Sequence, residues 1–183
     1  MKKVFEDGLC QWDSAPSNVF ECENEVLHNN DEEDVIAYTN GKCYNGYEPH
    51  AGGAAYVMLK DGNVFKTNER GLLHSTSNRA ELIAMIDAVA NTPECSRIDI
   101  YANSQYAINV LSGRYTPKAN DDLVAKFRQH SRSIKMIVFH WMSSCNGDKY
   151  NRIADNLASH AQSQIMKENG VKRRSGFHKS QKS

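Results

Sequence analysis

The chain has 183 residues, of which 40% are apolar and 24% charged, so its composition is that of a globular protein and excludes a fibrous, membrane-embedded or wholly disordered chain. Lysine plus arginine equal aspartate plus glutamate at 22 each, and this neutrality argues against the basic excess usual in nucleic-acid-binding proteins. The balance hides a gradient: residues 1–34 carry a net charge of −8, residues 35–165 one of +3 and residues 166–183 one of +5. Such asymmetry predicts terminal segments with interactions of their own.

The cysteine pattern and the hydropathy of the chain indicate where in the cell the protein is expected to be. The five cysteines are an odd number without a CxxC spacing, which favours free thiols over a zinc site or a disulfide framework. No run of 18 or more apolar residues occurs, and Glu6 and Asp7 interrupt the start of the chain before a signal-peptide pattern forms. We therefore expect an intracellular, cytoplasmic protein with no membrane partner.

The chain is predicted to consist of one folded domain between two tails. Residues 1–33 contain scattered apolar residues without a sustained period, which predicts an acidic, disordered arm that docks loosely on the body. Residues 34–168 alternate between strand-like and helix-like patterns and form the predicted domain. Residues 169–183 are basic and poor in apolar residues, which predicts a disordered tail.

Hydrophobic periods and turn residues predict the order of the elements. The first strand, Val35–Thr39, ends at the breaker Asn40-Gly41, and a glycine-rich turn follows through Gly53. An Asp-Gly turn then joins two strands into an antiparallel hairpin. After the first turn, the predicted elements are strands Ala54–Lys60, Val64–Arg70, Arg97–Ala102 and Ile134–Trp141, and helices Asn78–Ala90, Ser104–Leu111, Asn120–Ser131 and Lys149–Glu168. Three strands in a row followed by alternation predict an α/β fold with a mixed sheet of five strands.

Four short motifs follow one another on these elements. They centre on Asn40, Glu81, Asn103 and Asp155, in the contexts T-N-G, N-R-A-E-L, Y-A-N-S-Q-Y and N-R-I-A-D-N-L-A. In this order the motifs resemble those of the type 1 ribonuclease H family, over roughly residues 34–165, where an acid stands at each of the four positions. The resemblance implies a ribonuclease H-like five-stranded mixed sheet with helices on both faces. It also implies hydrolysis of the RNA strand of an RNA–DNA hybrid with two Mg²⁺ ions.

Three site positions depart from the family pattern. Asn40 and Asn103 stand where the family has aspartate, so neutral amides, each with an N–H₂ donor, replace two charged oxygen ligands. Cys145 stands at the position of a loop histidine that assists proton transfer, a task for which a thiol is poorly suited. Glu81 and Asp155 remain, which leaves one weak Mg²⁺ site between them or none.

The positions that the resemblance assigns to substrate binding are better preserved. Asn78 and Gln105 correspond to residues that contact base edges and 2′-hydroxyls in the minor groove of the hybrid. A basic protrusion that some members of the family carry is missing, and the basic tail is predicted to supply part of the phosphate attraction instead. The predicted nucleic-acid-binding residues are Cys43, Asn45, Ser77, Asn78, Gln105, Lys172, Arg173 and Arg174.

Several of these residues also have purely structural interpretations. Glu81 is an acid near a helix start that can pair with the helix dipole or with Arg79. Asn40 suits a turn, and Asn103 suits a helix cap. Trp141 is interpreted as a core residue.

We therefore predict a ribonuclease H-fold protein that binds nucleic acid, RNA–DNA hybrid above all, and does not cut it. Two alternatives remain open. One is a weakly active hybrid ribonuclease with altered metal use; the other is an interaction subunit that has lost nucleic-acid binding and has a protein partner that the sequence does not identify.

Overall fold

The protein is described from a computed structural model, which covers residues 1–4, 8–22, 34–46, 48–93, 97–143 and 147–171. Within these residues a mixed sheet of eight strands carries four helices. The strands are β1 (Lys2–Val4), β2 (Leu9–Trp12), β3 (Val19–Cys22), β4 (Val35–Tyr44), β5 (Ala51–Lys60), β6 (Asn63–Leu73), β7 (Arg97–Ala102) and β8 (Met136–Trp141). The helices are α1 (Ser77–Asn91), α2 (Gln105–Leu111), α3 (Asp121–Ser131) and α4 (Lys149–Glu168).

The strands lie in the order β1-β2-β3-β8-β7-β4-β5-β6. The neighbours β4, β7 and β8 are parallel, and β4, β5 and β6 form an antiparallel meander. The predicted α/β class and mixed sheet are confirmed, but the sheet is larger than five strands. The additional strands β1, β2 and β3 extend it at the β8 edge, with β3 parallel to β8.

The N-terminal strands correct the prediction of a disordered arm over residues 1–33. Val19 of β3 is fully buried. The side-chain amide of Asn18 donates hydrogen bonds to the carbonyl oxygens of Ser131, at 2.8 Å, and Ile134, at 2.6 Å. Strands of three or four residues are too short for a hydrophobic period to be recognised, so the sequence pattern did not reveal them. The rest of the predicted arm lies outside the described residues.

Glycines that the sequence pattern placed in a turn lie inside strands. β4 continues through Asn40-Gly41, and β5 begins before Gly53. A Cβ on Gly41 would lie 2.2 Å from the backbone nitrogen of Glu81, and one on Gly53 would lie 2.0 Å from the carbonyl oxygen of Ala158. Glycine is needed there because α1 and α4 approach the two faces of the sheet this closely.

Side-chain hydrogen bonds cap the N-terminal ends of α1 and α2. Thr76 precedes α1, and its hydroxyl accepts a hydrogen bond from the backbone N–H of Arg79 at 3.2 Å. Ser104 caps α2 through the N–H of Ala107, also at 3.2 Å, so the cap is Ser104 and not Asn103.

The main core lies between the sheet and the helices α1, α2 and α3. Its fully buried residues include Val35, Ala37, Met58, Leu82, Met85, Ile98, Ile100 and Ile137. On the other face, α4 packs Ala154 against Val57 and Leu59 of β5. Trp141 is 54% exposed, so its interpretation as a core residue was wrong. No helix among the described residues is long and apolar enough to cross a membrane.

Candidate functional site

The four motif positions meet at one end of the central strands, and this region is called the site below. Asn40 lies in β4, and Asn103 follows β7 directly. The parallel register pairs Thr39 of β4 with Ala102 of β7. Asn40 and Asn103 are the residues that follow this pair, so they lie side by side. The two acids approach from the helices, one on each face of the sheet. The site residues are thus Asn40, Glu81 of α1, Asn103 and Asp155 of α4.

Glu81 is a buried carboxyl with few partners. It is 8% exposed and accepts a hydrogen bond from the backbone N–H of Gly41. Its Oε2 atom is buried and has no hydrogen-bond partner among the described residues. Burial raises the pKa of Glu81 to about 8, the charge of Asp155 adds to the rise, and the Gly41 hydrogen bond and Lys42 oppose it. Glu81 is therefore largely protonated at neutral pH.

Arg79 does not balance Glu81, although the two residues lie in one motif. Its guanidinium makes a two-point ion pair with Asp122, at 2.6 and 3.0 Å, and also donates to the side chain of Asn120 at 3.0 Å. Asn120 is the N-cap residue of α3; its backbone lies in the left-handed region, with φ of 73°, and its side chain makes no cap hydrogen bond. The interpretation of Glu81 as the partner of Arg79 was therefore wrong.

Asp155 is paired with a cation from the neighbouring strand. The Lys42 Nζ atom lies 2.8 Å from Asp155 Oδ2. The two side chains are 33% and 42% exposed, so the pair lies at the solvent-facing rim of the site. A positive charge is thus already in contact with the more accessible of the two acids.

Neither asparagine has the structural role that its local sequence favours. Asn40 is 2% exposed and lies inside β4 opposite Ala55 of β5, so it is not a turn residue. Asn103 is half-buried, and its backbone carbonyl accepts a hydrogen bond from the indole N–H of Trp141 at 3.2 Å.

The formal charge of the site follows from these assignments. Glu81 is largely protonated, Asp155 is balanced by Lys42, and Asn40 and Asn103 are neutral amides. With Glu81 protonated, the four site residues carry one negative charge, which Lys42 balances, whereas the same four residues with both acids ionised would carry two negative charges.

The described members of the predicted nucleic-acid-binding set lie at the end of β4 and at the starts of α1 and α2. Cys43 lies near the end of β4, and its thiol donates a hydrogen bond to the carbonyl of Ser75, just before α1, at 3.2 Å. Burial raises the pKa of the Cys43 thiol. The remaining described members are exposed: Asn45 after β4, Ser77 and Asn78 at the start of α1, and Gln105 at the start of α2. Predicted site residues outside the described part of the chain are Cys145, Lys172, Arg173 and Arg174.

Sequence reasoning missed Lys42. Its signal was available in the strand alternation, because residues two apart in a strand point to the same face and Lys42 is two residues after Asn40. In the described part of the chain, no group of three or more histidine, cysteine, aspartate or glutamate side chains is arranged to hold a metal ion.

The fold and the site positions match those of a known family. The family model of RNase H matches residues 32–163, which is more than half of the chain, and the chain therefore belongs to the RNase H family. β1, β2 and β3 precede the matched residues.

Curated relatives named ribonuclease H come from several bacteria. The protein from Rhodopseudomonas palustris (strain TIE-1) is 36% identical over 146 residues, covering 70% of this chain and 88% of the relative. The protein from Marinobacter nauticus is 28% identical over 138 residues, covering 68% of this chain and 91% of the relative. The protein from Campylobacter jejuni is 29% identical over 146 residues, covering 75% of this chain and 97% of the relative.

Proposed function

We propose that this protein binds nucleic acid, and RNA–DNA hybrid in particular, through its RNase H fold without hydrolysing it. The observation that carries the proposal is the pair of amides at adjacent register positions, Asn40 within β4 and Asn103 directly after the neighbouring strand β7. Both stand where the family pattern has carboxylates. The relatives are named ribonucleases H, and substrate recognition is the part of their chemistry that this chain retains.

The ligand set at the site does not fit a pair of magnesium ions. Mg²⁺ binds oxygen ligands in near-octahedral geometry and is held best by carboxylates. Of the four converging side chains, two are neutral amides, Glu81 is buried with a raised pKa, and Asp155 is paired with Lys42. Two divalent ions would bring four positive charges to residues that carry no net charge. For this reason no hydrolytic step is assigned to the site.

The rim of the site supports recognition of a nucleic-acid strand. Asn78 and Gln105 are exposed at the first turns of α1 and α2, whose starts flank the site. Amide side chains offer both donors and acceptors, as contacts to base edges and 2′-hydroxyls require. A hybrid would therefore be bound through exposed polar groups that do not depend on metal ions in the site.

Binding and cleavage are tested together with a short RNA–DNA hybrid labelled on its RNA strand. Fluorescence anisotropy gives the affinity, and a denaturing gel of the same samples gives the integrity of the RNA. We expect the hybrid to bind more tightly than duplex DNA of the same sequence and to be recovered intact in the presence of Mg²⁺. Gln105→Ala and Asn78→Ala should each weaken binding about 5- to 50-fold, the equivalent of about 1–2 kcal/mol for a lost polar contact.

The matched control is Gln129→Ala, an exposed glutamine on α3, which should leave the affinity unchanged. Peptide mass spectrometry should confirm that Asn40 has not deamidated, because Asn-Gly is prone to this reaction. Absence of hybrid binding would contradict the proposal and favour an interaction subunit. Metal-dependent cutting that disappears in Glu81→Gln would contradict it in favour of an active ribonuclease.

A further inference from the structure

Lys42 differs from an ordinary surface lysine in where its charge lies. It is on the same face of β4 as Asn40, and its ammonium contacts Asp155, which is 113 positions away in the sequence. The pair therefore joins the strand and the helix that carry two of the four site residues. Lys42 also acts electrostatically on Glu81, the site residue that approaches from α1.

The ammonium competes directly with any divalent cation for Asp155. A magnesium ion on this carboxylate would have to lie about 2.0–2.1 Å from an oxygen, and the Lys42 nitrogen is 2.8 Å from Oδ2. A metal ion and the ammonium on the same carboxylate would repel each other, so the contact with lysine opposes the contact with a metal ion.

The same ammonium is accessible to a nucleic-acid backbone. Lys42 is one-third exposed, and exposed polar residues lie at the starts of α1, which carries Glu81, and of α2, which follows Asn103. An ammonium on a flexible stem can keep one hydrogen bond to a carboxylate while donating another to a phosphate oxygen, because it carries three donors.

We propose that Lys42 is the resident cation of this site, which replaces a divalent metal as the positive charge presented to a backbone phosphate of the bound nucleic acid. The inference rests on the proposed function and makes it more specific. Hybrid binding is then independent of divalent metal and has one phosphate contact centred on Lys42.

The first test is the affinity of the full chain for an RNA–DNA hybrid in EDTA and in Mg²⁺, with Lys42→Met and Lys42→Arg as matched variants. The unaltered protein should bind equally well in both buffers. Lys42→Met, which keeps most of the unbranched side chain without its charge, should weaken binding about tenfold and lower the slope of log affinity against log salt by about one. Lys42→Arg should retain most of the affinity.

Asp155→Asn distinguishes the resident lysine from a metal site by the sign of its effect. Removing the carboxylate releases the Lys42 ammonium to the phosphate, so affinity should stay equal or rise about 2- to 5-fold. If Asp155 acted by holding a metal ion that contacts the substrate, the same variant would weaken binding in Mg²⁺ and have no effect in EDTA. That result would overturn the proposal.

Metal binding gives a readout that does not require nucleic acid. Electron paramagnetic resonance with Mn²⁺ compares Asn40→Asp/Asn103→Asp with the same chain that also carries Lys42→Met. Removal of the lysine should tighten Mn²⁺ binding at least tenfold, and equal binding by the two variants would overturn the inference.

If the unaltered protein does not bind hybrid at all, the proposed function fails. If it binds but Lys42→Met binds equally well with the same salt slope, only the role of Lys42 fails.

Discussion

At the scale of single residues, Glu81 is a buried carboxyl whose ionisation is disfavoured by its surroundings. It is 8% exposed, one of its oxygens has no partner among the described residues, and the nearby Asp155 disfavours a second negative charge. Burial is the largest cause of its raised pKa, and the backbone N–H of Gly41 only partly offsets it. The Glu81 carboxyl is thus held mostly in its neutral form.

This assignment predicts an unusual dependence of stability on pH. The pKa of Glu81 rises from 4.5 to about 8 on folding, so between these values the unfolded chain ionises the carboxyl while the folded chain keeps it protonated. The protein therefore loses stability as pH rises through this range. Glu81→Gln removes the loss, and at pH 7 the variant should be more stable than the unaltered protein by roughly 2–4 kcal/mol.

Urea unfolding from pH 4 to pH 8 in EDTA measures this difference directly. At pH 4 the gain in the free energy of unfolding from Glu81→Gln should be small, because Glu81 is then protonated in both states. Glu168→Gln, a substitution at an exposed glutamate, is the control and should show no such trend. Parallel curves for the unaltered protein and Glu81→Gln would contradict the raised pKa.

At the scale of elements, two glycines set how closely the site helices approach the sheet. A Cβ at position 41 would collide with the backbone of α1 at Glu81, and backbone atoms cannot rotate away as a side chain can. The same argument applies to Gly53 and α4. The positions of Glu81 and Asp155 over the ends of the strands therefore depend on glycine in β4 and β5.

Gly41→Ala should lower the free energy of unfolding by about 3 kcal/mol, because overpacking at a backbone contact forces α1 away from the sheet. The control is Gly62→Ala, where a Cβ has open space but φ is +72°, and it should cost only about 1 kcal/mol. Chemical denaturation of the two variants measures both values. A loss at Gly41 no larger than at Gly62 would show that α1 does not pack as closely as described.

The same elements show what sequence could and could not reveal. The motifs located Asn40, Glu81, Asn103 and Asp155 because each stands in a short pattern tied to one element. The glycines of β4 and β5 were assigned to a turn, since glycine favours turns locally and the close helices that require it come from 40 and 105 residues further along the chain. Lys42 was missed because its partner Asp155 is likewise distant in sequence.

At the scale of the whole molecule, the neutral total charge arises from opposing segments. The acidic residues concentrate in positions 1–34 and the basic excess in positions 166–183. The described part of the acidic segment contributes β1, β2 and β3 to the sheet, so it is a structural part of the domain. The three strands escaped prediction because each is stabilised by pairing and by contacts such as Asn18 with Ser131, which no local pattern encodes.

The basic segment predicts a salt-dependent share of nucleic-acid binding. Residues 172–183 contain five lysines and arginines and no acid, so deleting them should weaken hybrid binding and reduce the slope of log affinity against log salt. Anisotropy titrations at several salt concentrations, with the full chain as reference, measure this slope. An unchanged affinity and slope would remove the basic tail from the interface.

The most direct measurement is the fate of the RNA strand when the protein is in excess over the hybrid, so that even one slow turnover per site is visible. Samples with Mg²⁺, with Mn²⁺ and with EDTA are compared for the unaltered protein and for Glu81→Gln. A non-hydrolytic site with amides at positions 40 and 103 predicts intact RNA in all six samples while anisotropy shows that the hybrid is bound. RNA cut in Mg²⁺ or Mn²⁺ by the unaltered protein, and not by Glu81→Gln, would contradict it.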